Sequence, residues 1–493
     1  MGIAKSSSRH VELERKFDVS DDGLSPSFGG LSVVARTEQL PDQPLEAVYF
    51  DTADYDLATH RVTLRRRCGG SDDGWHLKLP SATEARTEVR APLGPDLPDD
   101  LRDTVLAIVR DRPLLPVARI STARAVTMIY GADGSAVAEF CDDRVTACRL
   151  DSEGRPEAQE QWREWELELV DAGVEDAAGL LDLLTHRLLD IGAAPAGHGS
   201  KLAKALGDAT PPPPEPPSDP VHRAVAEQVA ALLEWDRAVR ADADDAVHQM
   251  RVTIRQIRSL LQASEEEFGL TDDATILTEL RELAGVLGIA RDAEVLADRY
   301  RDALDALPPE LVRGPVRERL VGGAWRRYHT GLNRSLKAMR SPRYFRLLDA
   351  LDAVVMSPPP PAADQHPAGI ASGYKRVRKR AEAMAEAAND HDRDEALHRV
   401  RKAAKRLRYL AAATGASGVS ARAKTIQSLL GDHQDSVVSH ASLLREAAAA
   451  HAAGEDTFTY GVLFQREDEL AQYCREQLGA ALKELRRSVR QSS

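Results

Sequence analysis

The sequence predicts an α+β protein: an antiparallel sheet or barrel first, then an all-α part built from two related halves. Three observations carry that expectation. Short alternating or β-branched segments, separated by Gly, Pro and Asp, fill the first two hundred residues. The run Ala209-Thr210-Pro211-Pro212-Pro213-Pro214-Glu215-Pro216-Pro217 then adopts stiff polyproline II and joins neither sheet nor helix. After it the pattern changes to helical periodicity rich in alanine, leucine and arginine, and the two halves of that part echo each other. The predicted domains are 1–208, a linker at 209–220, and 221–493 with repeats at about 221–355 and 369–490. A chain of 493 residues is too long for a single core.

The strands are read at 11–19, 45–51, 61–68, 74–79, 86–92, 117–130, 135–142 and 161–170, with helical stretches near 99–111 and 175–190. Side chains on a strand alternate between faces. In the first strand Glu12, Glu14 and Lys16 share one face, and Val11, Leu13 and Phe17 lie on the other with Arg15. Arg65 and Arg67 share a face in Leu64-Arg65-Arg66-Arg67, and Lys78 stands opposite an apolar Trp75, Leu77 and Leu79 face. Arg86 pairs with Glu88 in the same sense. Glu164, Glu166 and Glu168 turn away from Trp165, Leu167 and Leu169. Gly199-Ser200-Lys201 adds a lysine near the end of this part. Together these strands imply a sheet with a charged inner face, which is costly to desolvate unless both signs are compensated. A polyanion with a bound divalent cation compensates both: Arg and Lys bind phosphate oxygens, and glutamates bind Mg²⁺ or Mn²⁺ bridging those oxygens.

Composition narrows the classes. No apolar run approaches the roughly 20 residues of a membrane span, and Met1 to His10 lacks the apolar core of a secretory signal. The expectation is a cytoplasmic protein with no membrane partner. Cys68, Cys141, Cys148 and Cys474 show no C-x-x-C spacing and read as reduced thiols. There is no P-loop, no G-x-S-x-G elbow and no kinase signature. No nucleic-acid module is present, so no specific nucleic acid is expected as partner. The net charge of −13 is uneven: residues 1–220 carry 24 Lys+Arg against 39 Asp+Glu, and residues 221–493 carry 41 against 39.

In the helical part, His248, Arg251, Arg255 and Arg258 fall at i, i+3, i+7 and i+10, one face of a helix. His398, Arg401, Lys405 and Arg408 repeat the pattern. Leu287-Gly288-Ile289-Ala290-Arg291-Asp292 is echoed by Leu430-Gly431-Asp432-His433-Gln434-Asp435, with Ala290 where the second half has His433. Lys375-Arg376-Val377-Arg378-Lys379-Arg380 adds a basic block, and Ser357-Pro358-Pro359-Pro360-Pro361 separates the halves. Neither His248 nor His398 has a carboxylate or second histidine at i+4, which argues against a metal there.

Glu12-x-Glu14-x-Lys16 opening the chain resembles the signature of the CYTH family, the triphosphate tunnel metalloenzymes. The resemblance extends over about residues 9–206, through Tyr49-Phe50-Asp51-Thr52, Leu64-Arg65-Arg66-Arg67, Lys78, Arg86-x-Glu88, Thr122-x-Arg124, Asp142, Glu166-x-Glu168 and Ser200-Lys201. It implies a tunnel of eight antiparallel strands that hydrolyses inorganic triphosphate or another short triphosphate. Glu12, Glu14, Glu166 and Glu168 would hold Mg²⁺ or Mn²⁺. Glu12, Glu14 and Lys16 would be catalytic. Lys16, Arg65, Arg67, Lys78, Arg86, Arg124 and Lys201 would bind phosphate. Glu139 and Asp142 point to opposite faces of a regular strand, and which of them faces the tunnel stays open at this point.

The duplicated helical part is similar to the CHAD domain over roughly 221–490. That resemblance implies binding of inorganic polyphosphate through His248, Arg251, Arg255, Arg258, His398, Arg401, Lys405, Arg408 and His433, and association with polyphosphate granules. Alternative readings are a non-catalytic polyphosphate-binding protein, a class IV adenylyl cyclase and a thiamine triphosphatase.

Overall fold

In the computed structural model, the residues described are 8–70, 72–80, 86–171, 173, 176–212, 215–263, 275–356, 370–385, 389–413 and 415–492. The break at Ser357–Pro361 lies outside them. The protein is α+β, an antiparallel sheet followed by an all-helical region. The strands are β1 (Ser8–Glu12), β2 (Glu14–Asp18), β3 (Arg36–Gln39), β4 (Gln43–Asp51), β5 (Thr63–Cys68), β6 (Gly74–Leu79), β7 (Arg86–Ala91), β8 (Leu115–Tyr130), β9 (Ala136–Leu150), β10 (Pro156–Leu169) and β11 (Ala194–Pro195). The helices are α1 (Asp56–Thr59), α2 (Asp99–Val109), α3 (Ala177–Asp190), α4 (Lys201–Leu206), α5 (Pro220–Arg240), α6 (Ala246–Ala263), α7 (Thr275–Asp305), α8 (Gly323–Met339), α9 (Pro342–Met356), α10 (Ile370–Ala385), α11 (Asp390–Ala413), α12 (Ser417–Ala452) and α13 (Phe458–Ser492).

The eight expected strands are present, but the closed eight-stranded tunnel is not. The sheet has eleven strands in the open order β1-β7-β6-β5-β4-β8-β9-β10-β2-β11, with β3 pairing β8. The difference arises where the first expected strand changes partner. Its leading half, β1, pairs with β7, and its trailing half, β2, pairs with β10. At the junction the Leu13 carbonyl accepts from the Leu169 N–H. β3 and the two-residue β11 are additions that the alternation did not signal.

Alternation places the apolar face of the sheet outward. Phe17, Phe140, Trp165, Leu167 and Leu169 pack against Leu181, Leu184 and Leu188 of α3. Arg15, on the same outward side, reaches Asp182 of α3 at 2.7 Å. On the inward face, Ala47, Tyr49, Ile120 and Val145, in step with Arg124 and Asp143, pack with Leu202 and Leu206 of α4. The rest of the inward face is largely charged. Hairpin β9–β10 closes where the Asp151 carboxylate accepts from the Glu153 and Arg155 N–H groups and Gly154 takes φ +77°.

The chain divides into two compact units: Met1–Ser264 with Asp272–Arg281 and Leu336–Pro358, and Glu265–Thr271 with Glu282–Ser335 and Pro359–Ser493. The division does not fall at the proline-rich run. The first unit joins the sheet to helices beyond that run through Arg110, which pairs with Asp349 and Asp352 of α9, and Arg346, 2.6 Å from Asp111. In the second unit Val377, Leu397, Val400, Leu407, Ile426, Leu430 and Leu485 form the core of α10–α13.

Candidate phosphate and metal cavity

A cavity of about 350 Å³ lies against the inward face of the sheet. Glu12, Glu14, Lys16, Arg65, Arg67, Lys78, Arg86, Arg124, Glu166, Glu168 and Lys201 all line it. Strand register brings them together. Lys16 stands opposite Glu166 and Glu14 opposite Glu168 across β2–β10. Arg86 stands opposite Glu12 across β1–β7, and Arg124 opposite Asp143 across β8–β9. Lys201 opens α4, whose Ser200 cap accepts from the Ala203 N–H at 3.1 Å.

The charges form two groups. In one, Lys201 Nζ lies 2.8 Å from each of Asp143, Glu164 and Glu166. Arg124 donates two bonds to Asp143, at 2.8 and 2.7 Å, and a third to Glu166. Lys16 also reaches Glu166. Burial opposes the charge on Lys201, but Asp143, Glu166 and Glu164 hold its pKa well above the ordinary lysine value. Burial likewise opposes the Glu166 carboxylate, and Lys16, Lys201 and Arg124 bring it well below the ordinary range. These cations and carboxylates satisfy one another.

The second group, Glu12, Glu14 and Glu168, shares its positive charge unevenly. Burial would raise Glu14, but Lys16, Lys78 and Arg86 hold it down at about 2. Its Oε2 lies 3.2 Å from Lys16 and 3.6 Å from Lys78, while its Oε1 has no hydrogen bond and lies 3.8 Å from Arg86. Lys78 is 2.6 Å and Arg90 3.0 Å from Glu12. Glu168 makes no ion pair among the described residues. Burial, reinforced by Glu12 and Glu14, pushes its pKa up to about 7. Carboxylates that repel one another, with Glu168 lacking an ion pair among the described residues, are suited to a hard divalent ion.

Asp143, Glu164 and Glu166 also present ligand atoms within 4.8 Å of one another and could hold a metal ion. Lys201 already sits on those three carboxylates, so a cation there must displace it. Around Glu12, Glu14 and Glu168 a metal would displace Lys78 and Arg90 from Glu12 and Lys16 from Glu14, while Glu168 has no ion pair to break among the described residues.

A third feature concerns anions. Burial and the nearby Arg65 and Arg124 pull Arg67 down to about 9. An arginine so lowered gains from any anion that enters.

The inward face of β9 is settled by the same geometry. Glu139 lines the cavity, while Asp142 faces outward and holds Arg163 at 2.6 Å. Asp143, Arg90 and Glu88 were missed as site residues. Fully buried Glu88 binds Arg90 and His76 and lies 3.6 Å from Arg65. The period of two that joins Arg86 to Glu88 also reaches Arg90, and the one that starts at Glu139 reaches Asp143.

In the helical region α6 carries His248, Arg251, Arg255 and Arg258 at intermediate exposure, and α11 carries His398, Arg401, Lys405 and Arg408 likewise. The two ladders belong to different compact units. Arg401 lies along α12, where a Cβ on Gly431 would stand 3.6 Å from its Nη2, so the second ladder and the Leu-Gly motif meet. His433 is 2 % exposed and its Nε2 lies 3.3 Å from Arg475 Nη1.

An α+β fold with a cavity of eight basic side chains beside clustered carboxylates suits a phosphate ligand together with a metal ion. A CYTH domain matches residues 10–184 and a CHAD domain matches 223–445. The chain is 61 % identical over 503 aligned positions to the uncharacterized protein Rv2226 of Mycobacterium tuberculosis, covering 98 % of each. Two solved structures resemble it. PptA from Streptomyces chartreusis has TM-score 0.45 and 20 % identity, covering 55 % of this chain and 100 % of that one. The CHAD domain from the plant Ricinus communis has TM-score 0.40 and 22 % identity, covering 54 % of this chain and 90 % of that one. The protein belongs to the family that fuses a CYTH domain to a CHAD domain.

Proposed function

We propose that the cavity hydrolyses inorganic triphosphate or another short triphosphate with Mg²⁺ or Mn²⁺, and that the helical region binds inorganic polyphosphate. The observation that carries the first part is the pairing of two needs in one cavity: eight basic side chains line it, and Glu168, crowded by Glu12 and Glu14, has no ion pair among the described residues. Lys16, Arg65, Arg67, Lys78, Arg86, Arg124 and Lys201 bind and align phosphate oxygens. The anion draws Lys16 and Arg124 away from Glu166, which frees that carboxylate to join Glu12, Glu14 and Glu168 as a metal ligand. A bound divalent ion supplies charge neutralisation and an activated water for in-line displacement. Fully buried Glu88 holds His76 and Arg90 in the wall behind the cavity, so the cations are set before substrate enters.

The test is phosphate release from tripolyphosphate, thiamine triphosphate and ATP with each metal, and with EDTA. Glu14→Gln keeps the shape and removes the charge; activity is expected to fall by orders of magnitude with the circular dichroism spectrum intact. Full activity in EDTA or in that variant rejects the mechanism. Cyclic nucleotide as the product from ATP would assign the cavity to a cyclase instead. Tight triphosphate binding without turnover would leave a binding protein.

A further inference from the structure

The geometry points to a second anion site in the helical region: a groove between α10 and α11 that holds a polyphosphate chain apart from the His398 ladder. The groove has a volume of about 590 Å³. Arg376, Lys379 and Arg380 of α10 form one rim, and Arg399, Lys402 and Arg406 of α11 the other. All six are exposed. Leu407 and Leu410 lie in the floor, and a Cβ on Gly373 would stand 3.0 Å from the Leu407 side chain, so the helices approach closely there.

Two facts separate this groove from a solvated helical surface. No acidic residue lines it among the described residues. Arg399 is held by Glu395, while the other five cations have no ion pair among the described residues. Like charges facing one another across a groove repel, and a polyanion along it removes that repulsion.

The groove is not the ladder seen from another side. At 100° per residue, 399, 402 and 406 lie roughly 120° around α11 from 398, 401, 405 and 408. The remaining stripe, Val400, Ala404 and Ala411, is buried in the core. The helix therefore presents two separate cationic stripes. A bare phosphate chain fits this one better than a nucleic acid, because among the described residues no aromatic side chain lines the groove to stack on bases. Guanidinium and ammonium groups on both rims suit phosphate oxygens.

This inference rests on polyphosphate as the ligand of the helical region, and the test separates the two claims. Long-chain sodium polyphosphate is titrated against the full-length protein in a filter-binding assay, with excess tripolyphosphate to occupy the β cavity. Lys379→Glu with Lys402→Glu and Arg406→Glu should weaken binding at least tenfold and lower the phosphate held per protein, with the circular dichroism spectrum unchanged. The milder Lys379→Gln with Lys402→Gln should reduce the slope of log affinity against log salt, since fewer counterions are released. Arg401→Glu, in the ladder, should add a further loss. Unchanged binding and slope in both groove variants overturns the groove. So does a loss confined to parallel titrations with single-stranded RNA or phosphatidylglycerol vesicles. Wild-type protein that retains no polyphosphate overturns the ligand assignment as well.

Discussion

Lys201 shows what one side chain does in the cavity. Its ammonium is buried and shared equally by Asp143, Glu164 and Glu166. Removing one member of a buried charged set leaves the others uncompensated and costs about 3–5 kcal/mol. Lys201→Ala should therefore lower the melting temperature strongly, and millimolar Mg²⁺ or Mn²⁺ should restore part of it, because the three carboxylates then have room for a cation. A melting temperature in Lys201→Ala that is insensitive to metal would show that these carboxylates do not form a cation site. His433 provides a pH probe. Burial lowers its pKa below the ordinary histidine value, aided by the Arg475 charge and opposed by Asp394. The folded protein thus holds His433 neutral where the unfolded chain already takes a proton. Its contribution to stability is complete above the unfolded pKa of about 6.5 and is lost as pH falls below it. In His433→Gln, which can still accept from Arg475, denaturation midpoints should depend less on pH in that window; an equal slope would exclude this origin.

At the scale of the element, the strands were legible because alternation writes two faces into one segment. Glu164, Glu166 and Glu168 against Trp165, Leu167 and Leu169 is such a segment, and the structure turns the first set inward and the second onto α3. What alternation could not carry is which backbone pairs with which. The exchange of partner at Leu13 depends on main-chain hydrogen bonds, and it turns the expected closed tunnel into an open eleven-stranded path. The same limit applied at β9, where Asp142 matched a motif and Glu139 took the cavity. In the helices the repeat was legible as an echo of residues, but burial decides what each copy does. Ala290, the counterpart of His433, is fully buried, and a Cβ on Gly331 would come within 2.6 Å of its backbone nitrogen. Helices α7 and α8 touch there, backbone on backbone. Gly331→Ala should accordingly destabilise the protein by about 1–3 kcal/mol through forced separation of the helices. Urea midpoints would measure it, and a change near zero would mean the helices part without cost.

For the whole molecule, the informative quantity is not the net charge of −13 but the way charges are held. In the cavity, cations are tied to the carboxylates that a metal would need: Lys16 and Arg124 to Glu166, and Lys78 to Glu12. A triphosphate arriving alone must take cations from those acids and leave them buried without partners. A metal arriving alone must take acids from those cations, with the same consequence. Arriving together, each repairs what the other exposes. Metal and triphosphate should therefore bind with positive coupling, and linkage requires the effect to be mutual. Calorimetric titration of a non-hydrolysable imido analogue of tripolyphosphate into the wild-type protein allows the measurement without turnover and with every metal ligand in place. Saturating Mg²⁺ should tighten binding of the analogue about 5- to 150-fold, a coupling of about 1–3 kcal/mol, and saturating analogue should tighten Mg²⁺ by the same factor. Raising salt should weaken the triphosphate arm less than it weakens polyphosphate binding, because buried pairs are screened less than exposed ones. Affinities independent of each other would mean that the cations in this cavity do not exchange partners, and that metal and phosphate occupy separate places.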